Sequence, residues 1–248
     1  MSTVAIIQAR MGSTRLPGKV VRVLGDRTVL AHVIGRALEA RGVDAVAVAT
    51  TESVSDQAIV DEAVRAGVGV FRGSELDVLA RYRGAAASFG AERIVRITSD
   101  CPLLDPDLLG RMLAEFDLAG RSGAPLDYMS NALERTFPRG LDAEVFTRAA
   151  LERAYKEASR PYQREHVTPF IYEHPELFRL RSFRGPVDQS AYRLTLDTHE
   201  DWELLAAIFR ELQRPGHRIS TEEVIALLRR RPDLMGLNAG VQQKALRS

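Results

Sequence analysis

Residues 4–20 read VAIIQARMGSTRLPGKV, and the two halves of this stretch have opposite characters. Val4-Ala5-Ile6-Ile7, ending in Gln8-Ala9, is a short apolar run of the kind buried on both faces of a parallel sheet. Directly after it come Arg10, Arg15 and Lys19, interleaved with Gly12, Ser13, Thr14, Pro17 and Gly18. A strand that runs into a glycine-containing cationic loop is suited to phosphate. Backbone N–H groups approach an anion closely where Cβ atoms are missing, arginine offers a forked set of donors, and lysine a point charge. The pattern is neither G-x-x-x-x-G-K-[ST] nor G-x-G-x-x-G, so neither familiar nucleotide loop accounts for it. A merely solvated basic loop is the plain alternative.

Working outward, apolar positions at helical spacing predict a helix over 28–40, with Leu38 among its inward residues, closed by Gly42. A strand over 45–50 follows, then a helix over 56–66 with Ile59, Val60, Ala63 and Val64 inward. A strand over 68–71, a helix over 77–89, a strand over 93–97 and a helix over 106–116 complete the series. Strands alternating with helices at this spacing predict βαβ units and a doubly wound, mainly parallel sheet of Rossmann-like α/β type. Ligands of such sheets bind outside the carboxyl ends of the strands. Residues 8–15, 50–52, 71–74 and 98–102 should therefore converge on one edge. After about Gly120 the alternation stops. Strands over 126–131 and 143–146, helices over 147–158 and 164–172, and a strand over 178–183 read as a small α+β insert spanning 125–185. Residues 192–196 should return to the main sheet. Thr198 with Asp201, and Ser220 with Glu223, have capping-box spacing before the last two helices. One domain is expected over 1–230, with a polar, loosely held tail over 231–248.

Three ordered motifs carry a resemblance. RMGSTRLPGK at 10–19, FRGS at 71–74 and RITSDCP at 96–102 resemble the CMP-sugar synthetases. Those are the cytidylyltransferases that activate acidic sugars such as 3-deoxy-manno-octulosonate and the acylneuraminates. The spore-coat polysaccharide branch is the nearest in pattern, and the likeness covers roughly residues 3–230. It implies a fold of the glycosyltransferase-A, nucleotide-diphospho-sugar transferase type. It also implies CTP as donor, an acidic sugar as acceptor for surface polysaccharide, pyrophosphate release and a homodimer formed through the insert. Mg²⁺, with Mn²⁺ as a substitute, is the implied cofactor, held by Asp100 and Asp197. Arg10, Arg15 and Lys19 would grip the triphosphate and, with the two aspartates, form the catalytic set. Gln8, Ala9, Gly12, Ser13, Thr50, Arg72, Gly73, Ser74, Arg81 and Ser99 would line the nucleotide. Arg139, Gly140, Asp142, Glu144, Arg164 and His166 would face the sugar.

Other readings of the same residues stand beside these. Asp100 could cap a turn before Pro102, Asp197 could cap the next helix, and Asp77 with Arg81 has the spacing of a surface pair. Asp105-Pro-Asp107 has the D-x-D spacing of a nucleotide-sugar glycosyltransferase, a different class on the same fold. A hydroxyalkyl phosphonate is a possible acceptor in place of a sugar, and a silent nucleotide-binding scaffold is a third class. Composition narrows the field. A 45% hydrophobic chain with 27% charged residues can bury a core, and a net charge of +1 gives no global case for nucleic acid or membrane surface. Cys101 is the single cysteine, as suits a reducing cytoplasm, and no apolar run is long enough for a membrane span or a signal peptide.

Overall fold

The computed structural model describes residues 1–244. Among these, strands β1 (Thr3–Gln8), β4 (Ala45–Thr51), β5 (Gly69–Gly73) and β6 (Arg93–Thr98) lie parallel in the order β5-β4-β1-β6. A two-residue-stranded hairpin, β2 (Val23–Leu24) and β3 (Arg27–Thr28), leads into helix α1 (Val29–Glu39). Helices α2 (Gln57–Arg65), α3 (Val78–Ser88) and α4 (Pro106–Arg121) make the other crossovers.

The same sheet then continues past β6 through β8 (Glu144–Thr147), β7 (Tyr128–Ser130) and β9 (Leu180–Ser182), seven strands in all among the described residues. Strand β8 is antiparallel to both its neighbours, and β9 is parallel to β7. The strands of the 125–185 segment are thus continuous with the main sheet. Helix α5 (Arg148–Glu157), α6 (Pro161–His166) and α7 (Pro169–Tyr172) sit between β8 and β9, and α8 (His199–Leu212), α9 (Thr221–Arg230) and α10 (Pro232–Gly236) close the chain.

Alternation along β1 explains why both faces are covered. Ala5 and Ile7 join the core formed with α1, α4 and α8, while Val4 and Ile6 join the core formed with α3 and α5. All four are fully buried. The fold is the Rossmann-like, mainly parallel α/β architecture that the sequence predicts.

Several local expectations need correction. Residues 192–196 form no sheet strand; they make a single parallel bridge, Arg139 with Arg193. Their N–H groups alternate between two different loops, Leu194 donating to Arg139 O and Leu196 to Asp100 O, so no continuous ladder can form. The helix expected over 164–172 is two short ones, because Val167 takes φ 72° ahead of Thr168 and Pro169. Leu38 and Val64 face solvent at 53% and 65% exposure, at the edges of apolar stripes that the periodicity drew too wide. Within the expected tail, residues 232–238 are docked, not loose: α10 buries Leu234, and Asn238 is only 5% exposed, while 245–248 lie outside the described residues. Both expected capping boxes are present.

Candidate active site

The loop after β1 owes its shape to two buried anchors and one glycine. Leu16 and Val20 insert into the core, and Gly18 adopts φ 67° between them. A left-handed residue there costs little only for glycine. The turn that follows aims Lys19 inward, so its side chain is 11% exposed. Lys19 is therefore not part of a merely solvated basic loop. Met11 N–H donates to Asp56 Oδ1 at 2.9 Å, which ties the loop to the end of β4. Asp56 also accepts from the Thr50 and Thr51 hydroxyls and from Thr51 N–H. Burial would raise its carboxyl, but these donors outweigh burial and hold it below the ordinary carboxylate range. Thr50, expected at the nucleotide, is instead wholly buried in this support.

Lys19 joins the two aspartates singled out in the sequence. Its Nζ lies 2.9 Å from Asp100 Oδ2 and 3.0 Å from Asp197 Oδ1, and it donates to Leu196 O at 2.5 Å. Two carboxylates that contact one nitrogen are close enough for one ion to bridge. Asp100 is not raised by its acidic neighbour as two facing carboxylates alone would suggest. Burial does push it up, but the Lys19 charge and hydrogen bonds from Thr98 and Lys19 outweigh that and leave it low. Lys19 itself is raised, since the attraction of Asp100 and Asp197 exceeds the effect of burial. Arg15 reaches Asp197 Oδ2 at 3.2 Å, and Arg10 meets Glu75 Oε1 at 3.4 Å across the cleft.

Asp197 is delivered by contacts between loops. Arg139 N–H donates to Tyr192 O and Leu194 N–H to Arg139 O. Gly140, at φ 103°, lies so close to this segment that a Cβ would fall 2.5 Å from the Leu194 carbonyl carbon. Leu196 N–H and the Thr195 hydroxyl both donate to Asp100 O. Asp100 and Asp197, far apart in sequence, are thereby laced together through backbone.

The resulting cleft, of about 380 Å³, lies at the carboxyl ends of β1 and β6. Gln8, Ala9, Arg10, Gly12, Ser13, Arg15 and Lys19 form one wall. Ser99, Asp100 and Asp197 form its floor, and Arg81 and His166 close it from α3 and α6. Gln8 Oε1 and Arg81 Nε are buried there without a protein partner, one acceptor and one donor. Such atoms call for a polar partner, a water or a ligand.

Other expected residues are engaged elsewhere. Arg72 donates all three of its nitrogens to Thr51 O, Gln57 and Ser53 O, and so braces the β4 loop. Gly73 ends β5, and Ser74 O accepts from Arg81. Asp77 caps α3 and pairs with Arg164 at 2.6 Å, so it forms no surface pair with Arg81. Asp142 pairs with Arg135 and Glu144 with Arg96. Arg139 and Gly140 support the Asp197 segment. None of Thr50, Arg72, Gly73, Ser74, Arg139, Gly140, Asp142, Glu144 and Arg164 lines the cleft. Asp105 caps α4 and Asp107 pairs with Arg218, which removes the D-x-D reading. Glu75, Glu165 and Lys244 line the cleft without having been expected there. Among the described residues no cluster of three or more acidic, histidine or cysteine side chains could hold a metal unaided. Two carboxylates suit Mg²⁺, which takes one or two of them and completes its shell with water and phosphate oxygens. The ammonium of Lys19 marks the point where a cation is held.

A model of the cytidylyltransferase family matches residues 4–223. The chain belongs to the cytidylyltransferase family. This family member is 40% identical to an uncharacterised protein of Methanocaldococcus jannaschii, over all of this chain and 98% of that one. It is 37% identical to the spore coat polysaccharide biosynthesis protein SpsF of Bacillus subtilis, over 92% and 94% of the two chains. A 3-deoxy-manno-octulosonate cytidylyltransferase of Anaeromyxobacter dehalogenans is 36% identical over 67% of this chain and 72% of its own. The solved structure of a cytidylyltransferase from Leptospira borgpetersenii superposes with a TM-score of 0.89 at 36% identity, over 99% and 100% of the chains. The resemblance carried by three short motifs thus extends over the whole fold. No helix of the described residues is long and apolar enough to cross a membrane.

Proposed function

We propose that this cytidylyltransferase moves CMP from CTP to a hydroxyl of an acidic sugar of ulosonic or nonulosonic type and releases pyrophosphate. The observation that carries the reading is the meeting of Lys19 with Asp100 and Asp197 at the carboxyl edge of the sheet, beside Arg10 and Arg15. The acceptor oxygen bonds to the α-phosphorus as the bond from that phosphorus to its bridging oxygen breaks. Pyrophosphate leaves and the hydroxyl proton passes to water. Arg10 and Arg15 orient the triphosphate, and Lys19 offsets charge on the departing group. A Mg²⁺ ion on Asp100 and Asp197 would supply further charge neutralisation and acidify the attacking hydroxyl, and Mn²⁺ suits the same oxygen donors. Gln8 Oε1 and Arg81 Nε offer an acceptor and a donor to a base edge.

The acidic character of the acceptor is supported by the likeness to a 3-deoxy-manno-octulosonate cytidylyltransferase. It is tested by offering CTP with a panel of acidic sugars, neutral sugars and hydroxyalkyl phosphonates, and weighing the products. A CMP adduct formed only on carboxylated sugars is expected; an adduct formed only on a phosphonate would replace the acceptor class. A homodimer through residues 125–185 follows from the resemblance and is tested by sedimentation, and a cytoplasmic location follows from the single cysteine, Cys101.

A further inference from the structure

The segment after α9 reaches back to the floor of the cleft. Asp201, in the first turn of α8, is 0% exposed and fully satisfied. Its Oδ2 accepts from Asp197 N–H at 2.9 Å and Thr198 N–H at 3.1 Å. Arg193 adds a two-pronged contact, Nε to Oδ1 at 2.8 Å and one terminal nitrogen to Oδ2 at 2.9 Å. That same terminal nitrogen lies 2.9 Å from Asp197 Oδ2, and the other donates to Gln243 Oε1 at 2.9 Å. Asn238 Nδ2 closes the network, reaching Arg193 O at 3.1 Å and Asp201 Oδ1 at 2.8 Å.

A capping box accounts for Thr198 and for the placement of Asp201, but not for this arrangement. The guanidinium has every nitrogen engaged, so it cannot turn, and it grips one oxygen of Asp197 only. The other oxygen is left facing Lys19 and Asp100. Fixing a ligating carboxylate by its second oxygen is how outer contacts set the orientation of a metal ligand. Packing of Leu234 would by itself anchor α10. It does not require Asn238 to point both of its contacts at Arg193 and Asp201. The family match ends at residue 223, whereas the Leptospira structure covers 99% of this chain. The arrangement is therefore built partly from chain outside the matched region.

We infer that residues 232–244 are part of the active site: through Asn238 and Gln243 they hold Arg193 against Asp197, and Arg193 is a positioning residue for that carboxylate. The inference rests on the metal role proposed for Asp197. The segment ends with Lys244 on the cleft wall.

The test is Mn²⁺ affinity, read by electron paramagnetic resonance with a non-hydrolysable CTP analogue bound, alongside melting temperature and pyrophosphate release. Arg193→Met is expected to weaken Mn²⁺ binding about 10- to 100-fold and to lower kcat, with metal-free analogue affinity within about three-fold of the parent. Asn238→Ala and Gln243→Ala should shift Mn²⁺ affinity the same way by less. Arg231→Ala breaks the exposed pairs to Asp233 and Glu211 without touching Arg193, and should leave it unchanged. If Arg193→Met does not fold, the exposed Gln243→Ala decides. Lowered melting temperatures with unchanged Mn²⁺ affinity would make the network a structural staple and overturn the inference. Failure of the parent protein to bind Mn²⁺ with the analogue would remove the metal reading itself, a result visible before any variant is made.

Discussion

Lys19 Nζ stands 2.9 Å from Asp100 Oδ2, and the same ammonium also contacts Asp197. The protein thus carries its own cation at the point where a divalent ion would bridge the two carboxylates. Removing that cation leaves two carboxylates facing one another in a partly buried site. Lys19→Met should lower stability by about 2–3 kcal/mol, as for loss of charged hydrogen bonds in such a site. Mn²⁺ without nucleotide should restore part of the loss in the variant and change the parent protein little. Thermal melts with and without Mn²⁺ check this. An equal Mn²⁺ response in both proteins would show that Lys19 does not hold the site.

Gly140 decides whether Asp197 can be placed. Its φ is 103°, and a methyl group added there would lie 2.5 Å from the Leu194 backbone, too close to be accommodated. Gly140→Ala is expected to lower the melting temperature and to reduce turnover further than the stability loss explains, because it moves the 194–197 segment. Gly120→Ala is the control, for nothing lies within 4 Å of its Cβ in α4. There the change should stabilise by about 0.5–1 kcal/mol. Equal melting temperatures for the two variants would contradict the account.

His32 gives stability a pH dependence away from the cleft. It packs on Phe209 and its Nε2 lies 2.7 Å from Leu24 O, with Asp26, Arg27 and Arg36 near it. Burial is the main cause that lowers its pKa from 6.5 to about 4. As pH falls below 6.5 the unfolded chain takes up the proton first. The contribution is therefore complete above that pH and lost progressively toward pH 4, by on the order of 3 kcal/mol. His32→Gln, which keeps a donor for Leu24 O, should flatten the stability profile over that window. A profile that keeps its slope would assign the acid sensitivity to other groups.

What the sequence disclosed was local. The apolar run at Val4–Ile7, the glycine and cations after it, and the capping spacings at Thr198 and Ser220 all act over a few residues, and each is found in place. Lys19 and Asp100 were legible because each lies in a motif, and Asp197 because the resemblance marks it as the second carboxylate. Their meeting was not, since Lys19 contacts partners 81 and 178 positions away. Arg193 and Asn238 had no signature, because an arginine on a short segment and an asparagine in a polar tail look like solvated residues until the chain closes; Asp201 was legible only as a helix cap. Arg164 and Glu144 show a further relationship that the sequence did not disclose. The resemblance placed them toward the sugar, and the structure pairs them with Asp77 and Arg96. Asp56 was read only as a helix start, yet it organises β4 and the first loop.

The central claim is a cytidine-specific donor site, and the most direct measurement is pyrophosphate release with CTP, UTP, ATP and GTP, each offered with Mg²⁺ and the same panel of acidic sugars. A site whose buried donor and acceptor pair with one base edge leaves them unpaired with another, so CTP should be used at least about 100-fold more efficiently than the rest. Release from CTP that disappears in Asp100→Asn and Asp197→Asn is the expected result. Release from UTP in preference to CTP, or release from CTP undiminished in both aspartate variants, would contradict it.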